Sequence, residues 1–368
     1  MSTGSKVFLV VLLLLFGAVG GGLWWVNDQL TGEPGEGEPV QAEISRGASA
    51  SEVGRFLEER DVIKNATAFR YMARTRDLDR QLQAGPYEFR TGMSVDEAID
   101  ILLAGPDLPD EIRFTVQEGL TVDLVLARLD EAFEQYSAED FRAVLDERLQ
   151  AGANGDGLLR LPDWVPPLQD IRARSEDVVE PYEGLLFPQT YAVFDDATPL
   201  DVLQEMVDLL DETVAAIPED QRQAAEELGL DRYEVLTLAS LVERETRVDA
   251  ERPQVAGVIH NRMEEGMLLQ IDATVLYARG EHTERVLTSD TEIDNAYNTY
   301  VYEGLPPTPI SNMGRASIEA AFAPQDVPHL YYVVKAPECD GTHAFAETLD
   351  EHNANVRRFR ESDACGNR

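Results

Sequence analysis

The sequence predicts an α+β protein with one N-terminal transmembrane helix followed by two folded domains. Three observations predict this class. An uncharged run covers Val7–Val26, strand-like segments alternate with Gly turns up to about residue 124, and helical periodicity dominates from residue 126 onward. The 368-residue length leaves enough chain after the apolar run to bury two hydrophobic cores.

The apolar run is expected to anchor the chain in a membrane. Twenty residues at helical rise span about 30 Å, the thickness of a bilayer's hydrocarbon core, and Trp24 and Trp25 stand at the far end of the run. Lys6 precedes it and the next basic residue is Arg46, which predicts a cytoplasmic tail over 1–6, a helix over 7–26 and an exported remainder. A cleavable signal peptide ending near Ala18–Gly20 is the alternative.

The charge and the cysteine content limit the kinds of partner and cofactor. The net charge of −38 is spread along the chain among Leu and Val residues, which argues against nucleic acid or anionic lipid as a partner. The two cysteines, Cys339 and Cys365, lack metal-ligand spacing, and the sequence has no Cys or His cluster elsewhere, so no metal site is expected. No cofactor is expected either. In an oxidising compartment the two cysteines could form one disulfide bond.

A strand–turn–helix unit recurs after a polar linker expected over 27–43. The unit appears at Ile44–Val53, Phe89–Ala98 and Val116–Leu124, each time as a short strand, a Gly turn, a Ser or Thr N-cap and an amphipathic helix. Turn and capping residues in this order also occur in ordinary α/β domains. The pattern resembles LysM modules, strand–helix–helix–strand units that bind N-acetylated glycans, and this resemblance implies a small LysM-like α/β subdomain over 44–125.

The second domain is expected over 126–362 and is mainly helical. Helices are expected at 198–217, 219–229 and 232–248, then after Pro253 to Met263 and at 349–359. A strand or extended segment is expected at 183–194, and strands at 329–335 and from 341.

Glu245 stands out within the helix expected at 232–248. The apolar arc of this helix consists of Val235, Leu236, Leu238, Leu241 and Val242. At about 100° per residue, Glu245 lies roughly 50° from the centre of the arc, whereas Glu243 lies roughly 110° away and Arg244 nearly opposite, so both can reach water. A carboxyl on an apolar face should have a raised pKa and could act as a general acid. The alternative is a surface ion pair at the edge of the face.

Polar and aromatic residues are dense in the turn-rich segments from Gln270 onward. They include Asp272, Tyr277, Tyr297, Asn298, Thr299 and His343. Side chains of this kind on loops often line a sugar-binding cleft, although a loop held by its own hydrogen bonds has the same composition.

Several ordered motifs resemble the endolytic murein transglycosylase family, which is YceG-like. The strongest is Leu238-Ala-Ser-Leu-Val-Glu-Arg-Glu-Thr246, where the family has Leu-Ala-Ser-Ile-Ile-Glu-Lys-Glu-Thr. Supporting motifs lie at Gln270–Tyr277, Ala296–Tyr300, Gly304–Pro307, Gly341–Phe345 and Glu351–Asn355. The chain departs from the family's usual residues at Ala273, Thr308 and Met313, which affects the expected shape of the cleft loops.

The resemblance implies a fold, a reaction and a location. The second domain would be lysozyme-like with β-rich cleft loops, and Glu245 would be the catalytic residue of a lytic transglycosylase. The expected partners are peptidoglycan glycan strands, the inner membrane and peptidoglycan synthases, with the catalytic domain in the periplasm. Substrate contacts are expected from Glu243, Gln270, Asp272, Tyr297, Asn298, Thr299 and His343.

Two other functions remain open at this point. One is a non-catalytic scaffold that binds peptidoglycan. The other is a hydrolytic muramidase with Glu245 as the acid and Asp272 as the base, because glycoside hydrolases commonly use two carboxylates.

Overall fold

A computed structural model of the chain describes residues 37–106, 110–151, 157–280 and 286–362. Contacts divide the chain after Asp110, whereas the sequence led us to expect the division after residue 125. The earlier division has a physical reason. Strand Glu111–Thr115 pairs with Thr190–Phe194. The third strand–turn–helix repeat, at Val116–Leu124, therefore belongs to the second of the two structural units.

The first unit packs helices beside a two-stranded antiparallel sheet. Its elements are β1 (Pro39–Ile44), α1 (Ala50–Glu59), α2 (Ala66–Thr75), α3 (Leu78–Gln81), β2 (Gly85–Arg90) and α4 (Val95–Ala104). Pro39 pairs with Arg90 at one end of the sheet and Ile44 with Gly85 at the other. The order strand, helices, strand is the order that a LysM-like unit would have, and the LysM-like resemblance itself stays a prediction.

Local sequence signals explain where the helices of the first unit begin. Ser49 and Ser94 each accept a hydrogen bond from the backbone N–H three residues later, and the carboxylates of Glu52 and Glu97 accept from the backbone N–H groups of these two serines, which makes two capping boxes. The apolar faces of these helices then cover a core whose largest fully buried members include Leu57, Phe69, Phe89 and Ile99.

The second unit is mainly helical. Its helices are α5 (Val122–Ala132), α6 (Ala138–Ala151), α7 (Leu168–Arg172), α8 (Pro199–Ala215), α9 (Glu219–Glu227), α10 (Arg232–Glu245), α11 (Arg252–Glu264), α12 (Asp272–Arg279), α13 (Arg315–Phe322) and α14 (Leu349–Glu361). Its strands are β3 (Glu111–Thr115), β4 (Thr190–Phe194), β5 (Tyr331–Val334) and β6 (His343–Ala346).

Two antiparallel pairs complete the second unit, β3 with β4 and β5 with β6. Strand β4 is shorter than the strand or extended segment expected over 183–194, because the chain turns at Gly184, whose φ is +83°. The residues 183–187 are buried without being part of a strand. The mixed α and β content of both units agrees with the expected α+β class.

Two expectations reach outside the described residues. The proposed membrane span, 7–26, lies wholly within the undescribed N-terminal segment. Within the described ranges, none of the helices combines the length and apolar character that a membrane span requires. Cys339 is disulfide-bonded, and Cys365, the chain's other cysteine, lies beyond residue 362.

Candidate active site

Helix α10 carries the candidate acid at its last position. Asp231 caps the helix by accepting a hydrogen bond from the Glu234 backbone N–H, and the Glu234 carboxylate accepts one from the Asp231 backbone N–H. The five residues of the expected apolar arc are all buried. The helix ends at Glu245, because Thr246 leaves the helical conformation while its N–H still donates to Val242. The arc therefore lies against the core as the periodicity predicts.

The Glu245 carboxyl is desolvated, although the residue as a whole is not fully buried. Part of the residue's surface stays accessible, and the Tyr332 hydroxyl of β5 donates a hydrogen bond to its Oε2 at 2.8 Å. Removal of water from around the carboxyl raises the pKa of Glu245, and the nearby Asp272 carboxylate raises it further. A desolvated carboxyl with a raised pKa, on a residue that is partly exposed, is suited to donating a proton near neutral pH.

Charged groups from three further elements surround this carboxyl. Asp272 begins α12 and accepts a hydrogen bond from the Tyr300 hydroxyl at 2.6 Å. His343 of β6 lies with its Nδ1 at 2.8 Å from Glu251, and the His343 backbone N–H also donates to that carboxylate. Arg262 of α11 acts on Glu245 through its charge. The structure thus brings two of the expected substrate-binding residues, Asp272 and His343, to the neighbourhood of Glu245.

The expectation that Glu243 reaches water is wrong. Its side chain is 7% exposed and forms an ion pair at 3.1 Å with Arg252, which is itself 7% exposed. The Ser317 hydroxyl and the Gly314 backbone N–H also donate to Glu243, at 2.8 and 3.1 Å. Helices α11 and α13 cover this side of α10, so a position off the apolar arc is still buried. We therefore assign Glu243 to the framework of the fold.

Two loop residues expected to contact substrate are buried and form hydrogen bonds within the protein. Asn298 is fully buried, and its amide donates to the carbonyls of Thr291 and Ile293. The Thr299 hydroxyl is buried and accepts a hydrogen bond from the Ile271 N–H at 2.9 Å. Asn298 thus holds the loop's own backbone together, and Thr299 holds the loop against the start of α12. Both side chains are buried, so the structure does not present them at a surface.

Tyr297 and Gln270 differ in their surroundings. Tyr297 is buried, its hydroxyl lies 2.7 Å from the Thr308 hydroxyl, and its ring lies 4.9 Å from that of Tyr277. Gln270 is exposed and has a φ of +54°, and its backbone N–H donates to Thr299. Only Gln270 of this pair presents its side chain to solvent.

A second buried carboxyl, Glu183, did not emerge from the sequence. It is 1% exposed and accepts hydrogen bonds from the Val122 N–H, the Tyr277 hydroxyl and the Asn312 amide at 3.1, 3.3 and 3.4 Å. Desolvation raises its pKa well above the usual range. A single carboxyl within the apolar run 183–187 is the signal that could have found it.

Glu183 borders a cavity of about 410 Å³ that is distinct from the surroundings of Glu245. Tyr277 and Tyr297 line this cavity with Glu183, and Glu245 does not. The three donors to Glu183 come from α5, from α12 and from the segment before α13, so this carboxylate joins separate parts of the second unit. Among the described residues, no group of His, Cys, Asp or Glu side chains is arranged to hold a metal ion.

Comparisons with known proteins give one consistent result. The model of the YceG-like family matches residues 42–358. The endolytic murein transglycosylase of Bacillus subtilis is 34% identical over 322 residues, which is 87% of this chain and 84% of that protein. The endolytic murein transglycosylase of Streptococcus pneumoniae is 30% identical over 366 residues, and this chain spans 64% of its length.

A solved structure is also similar. The crystal structure of a YceG-like protein from Listeria monocytogenes is 29% identical and superposes with a TM-score of 0.53. The similarity covers 87% of this chain and 99% of the Listeria chain.

Proposed function

This chain belongs to the YceG-like family, and on that premise we propose that it is an endolytic lytic transglycosylase of peptidoglycan. It would cleave MurNAc–GlcNAc bonds within nascent strands, leave 1,6-anhydroMurNAc ends and so terminate strand elongation. The observation that carries the proposal is the desolvated carboxyl of Glu245, a partly exposed residue at the end of α10. The motif resemblance supports the proposal, because the family's catalytic glutamate would correspond to Glu245.

One carboxyl suffices for this reaction. Protonated Glu245 would give its proton to the glycosidic oxygen as the bond from that oxygen to the muramic C1 breaks. The C6 hydroxyl of the same sugar would then bond to C1 and return its proton to the Glu245 carboxylate. The sum of the two steps is an anhydro ring, a free GlcNAc hydroxyl and a regenerated acid, with no water consumed.

The products distinguish this proposal from its alternatives. The full-length protein would be incubated with isolated sacculi, and the released fragments analysed by mass spectrometry. We expect new chain ends that are lighter by one water than reducing ends. Reducing ends would instead indicate a muramidase with Asp272 as the base, and an absence of fragments would indicate a scaffold.

The pH profile of cleavage is expected to have an alkaline limb set by Glu245. Because the first step needs the protonated carboxyl, activity should fall as the pH rises through the raised pKa of Glu245. Initial rates on soluble glycan fragments from weakly acidic to alkaline pH would measure this limb. A limb at the usual pKa of a glutamate, about 4.3, would contradict the assignment of Glu245 as a desolvated acid.

We also propose that residues 7–26 anchor the enzyme in the inner membrane, with the second unit in the periplasm. A short linker would then hold the active site near newly made strands and near the synthases that produce them.

Protein lacking Met1–Gly32 should be soluble without detergent and should cleave isolated sacculi at a rate similar to the full chain. Loss of cleavage in this variant, measured by fragment release, would mean that the segment does more than localise the enzyme.

A further inference from the structure

We propose that Tyr332 is a positioning residue for Glu245, whose hydroxyl holds one carboxyl oxygen so that the other oxygen performs both proton transfers. This inference rests on the proposed function. It concerns a residue that the sequence alone did not single out.

The geometry around Tyr332 fixes its hydroxyl in place. Tyr332 lies within the β5–β6 pair, opposite Phe345, and its hydroxyl reaches Oε2 of Glu245 at 2.8 Å. Its ring packs edge-on against His343, with centroids 5.3 Å apart, and lies 6.2 Å from the ring of Phe345. A side chain held by a strand and two rings has little rotational freedom, so the carboxyl that it binds is oriented as well.

Tyr332 remains a hydrogen-bond donor throughout the reaction. Burial raises the pKa of its hydroxyl well above the usual range, and the adjacent Glu245 charge raises it further. The phenol therefore keeps its proton at any pH at which the enzyme would work and cannot replace Glu245 as the acid. A fixed donor binds a carboxylate more strongly than a carboxylic acid, so Tyr332 stabilises Glu245 after it has released its proton.

Several other groups also face the Glu245 carboxyl, and their effects differ from that of Tyr332. The titratable and charged groups are Asp272 from α12, His343 from β6, Arg262 from α11 and Tyr300 from the segment between α12 and α13. Asp272 raises the pKa of Glu245, whereas His343 and Arg262 lower it through their charges. The Tyr300 hydroxyl donates its hydrogen bond to Asp272. Tyr332 is the hydrogen-bond partner through which the carboxyl itself is held.

The test is Tyr332→Phe, which removes the hydroxyl and keeps the ring. Loss of the donor should raise the pKa of Glu245 and move the alkaline limb up by about one pH unit. We expect kcat to fall about tenfold with KM nearly unchanged, because a less well-placed and weaker acid affects the chemical step. The position of the limb does not depend on the fraction of folded protein, so partial misfolding would not imitate the result.

Tyr331→Phe is the matched control. Tyr331 is adjacent on the same strand, so its side chain points to the opposite face, where the ring stacks on His352 with centroids 5.2 Å apart. Both substitutions remove a phenol hydroxyl from β5. In Tyr331→Phe, the alkaline limb should stay at the pH that it has in the unsubstituted protein. An unchanged limb in Tyr332→Phe, or an equal shift in Tyr331→Phe, would overturn the inference.

A second readout separates this inference from the proposed function. A ¹³C carboxyl NMR titration, with the Glu245 signal assigned by its loss in Glu245→Gln, measures the Glu245 pKa without substrate. A higher pKa in Tyr332→Phe supports the hydrogen-bonded arrangement even if no glycan is cleaved, and an unchanged pKa rejects it. Failure of the proposed function would show separately, as an absence of anhydro ends from the unsubstituted protein.

Discussion

Glu245→Gln is expected to lower the rate of glycan cleavage by about 10³-fold while the protein remains folded. The amide keeps the shape of the side chain, and its oxygen can still accept the Tyr332 hydroxyl, but it has no acidic proton to donate. Rates of anhydro-end formation, with circular dichroism as a check of folding, would measure the loss. Cleavage at an unchanged rate would remove Glu245 from the mechanism.

The same substitution has an expected sign for stability. The folded-state pKa of Glu245 is raised above its unfolded value of about 4.3, so the folded protein holds this proton more tightly. The cost of ionising the buried carboxyl therefore begins above the unfolded pKa and grows until the pH passes the folded pKa. At neutral pH, Glu245→Gln should be neutral or stabilising, and a marked fall in Tm would indicate a structural role instead.

Glu243→Gln is expected to have the opposite pattern, with a large loss of stability. The substitution removes the buried carboxylate partner of Arg252 and leaves its guanidinium only the 80% exposed Asp249, and removing one partner of a buried ion pair costs about 3–5 kcal/mol of unfolding free energy. We expect the low end of this range, since the amide oxygen can still accept from Ser317 and Gly314. The molecules that remain folded should cleave glycan at nearly the normal rate.

Urea denaturation and specific activity together test this expectation. Arg252→Met combined with Glu243→Gln provides the control, because the double variant has no unpaired buried charge and should recover part of the lost stability. If Glu243→Gln were stable and inactive, while Glu245→Gln were unstable and active, the roles of the two glutamates would be exchanged.

The contrast between these two glutamates indicates how far the sequence could predict the site. The periodicity of α10 predicted its apolar arc and the place of Glu245 on it, because both depend on residues within four positions of each other. The same reasoning left Glu243 in water and was wrong. Ser317, which covers Glu243, is 74 residues away in the sequence and belongs to another helix.

By itself, the sequence determined the local elements of this protein. The capping residues Ser49, Ser94 and Thr348 begin helices, and the apolar periodicity of α10 determines which of its faces meets the core, because these signals act within one or two turns of chain.

The tertiary structure alone decided which side chains meet at Glu245. Tyr332 comes 87 residues after Glu245 and donates its hydrogen bond only because the β5–β6 pair packs beside the end of α10. The accessibility and the pKa of a carboxyl depend on every group packed around it. Such packing joins residues that no short-range pattern relates, and for this reason the environment of Glu245 could be described only from the folded chain.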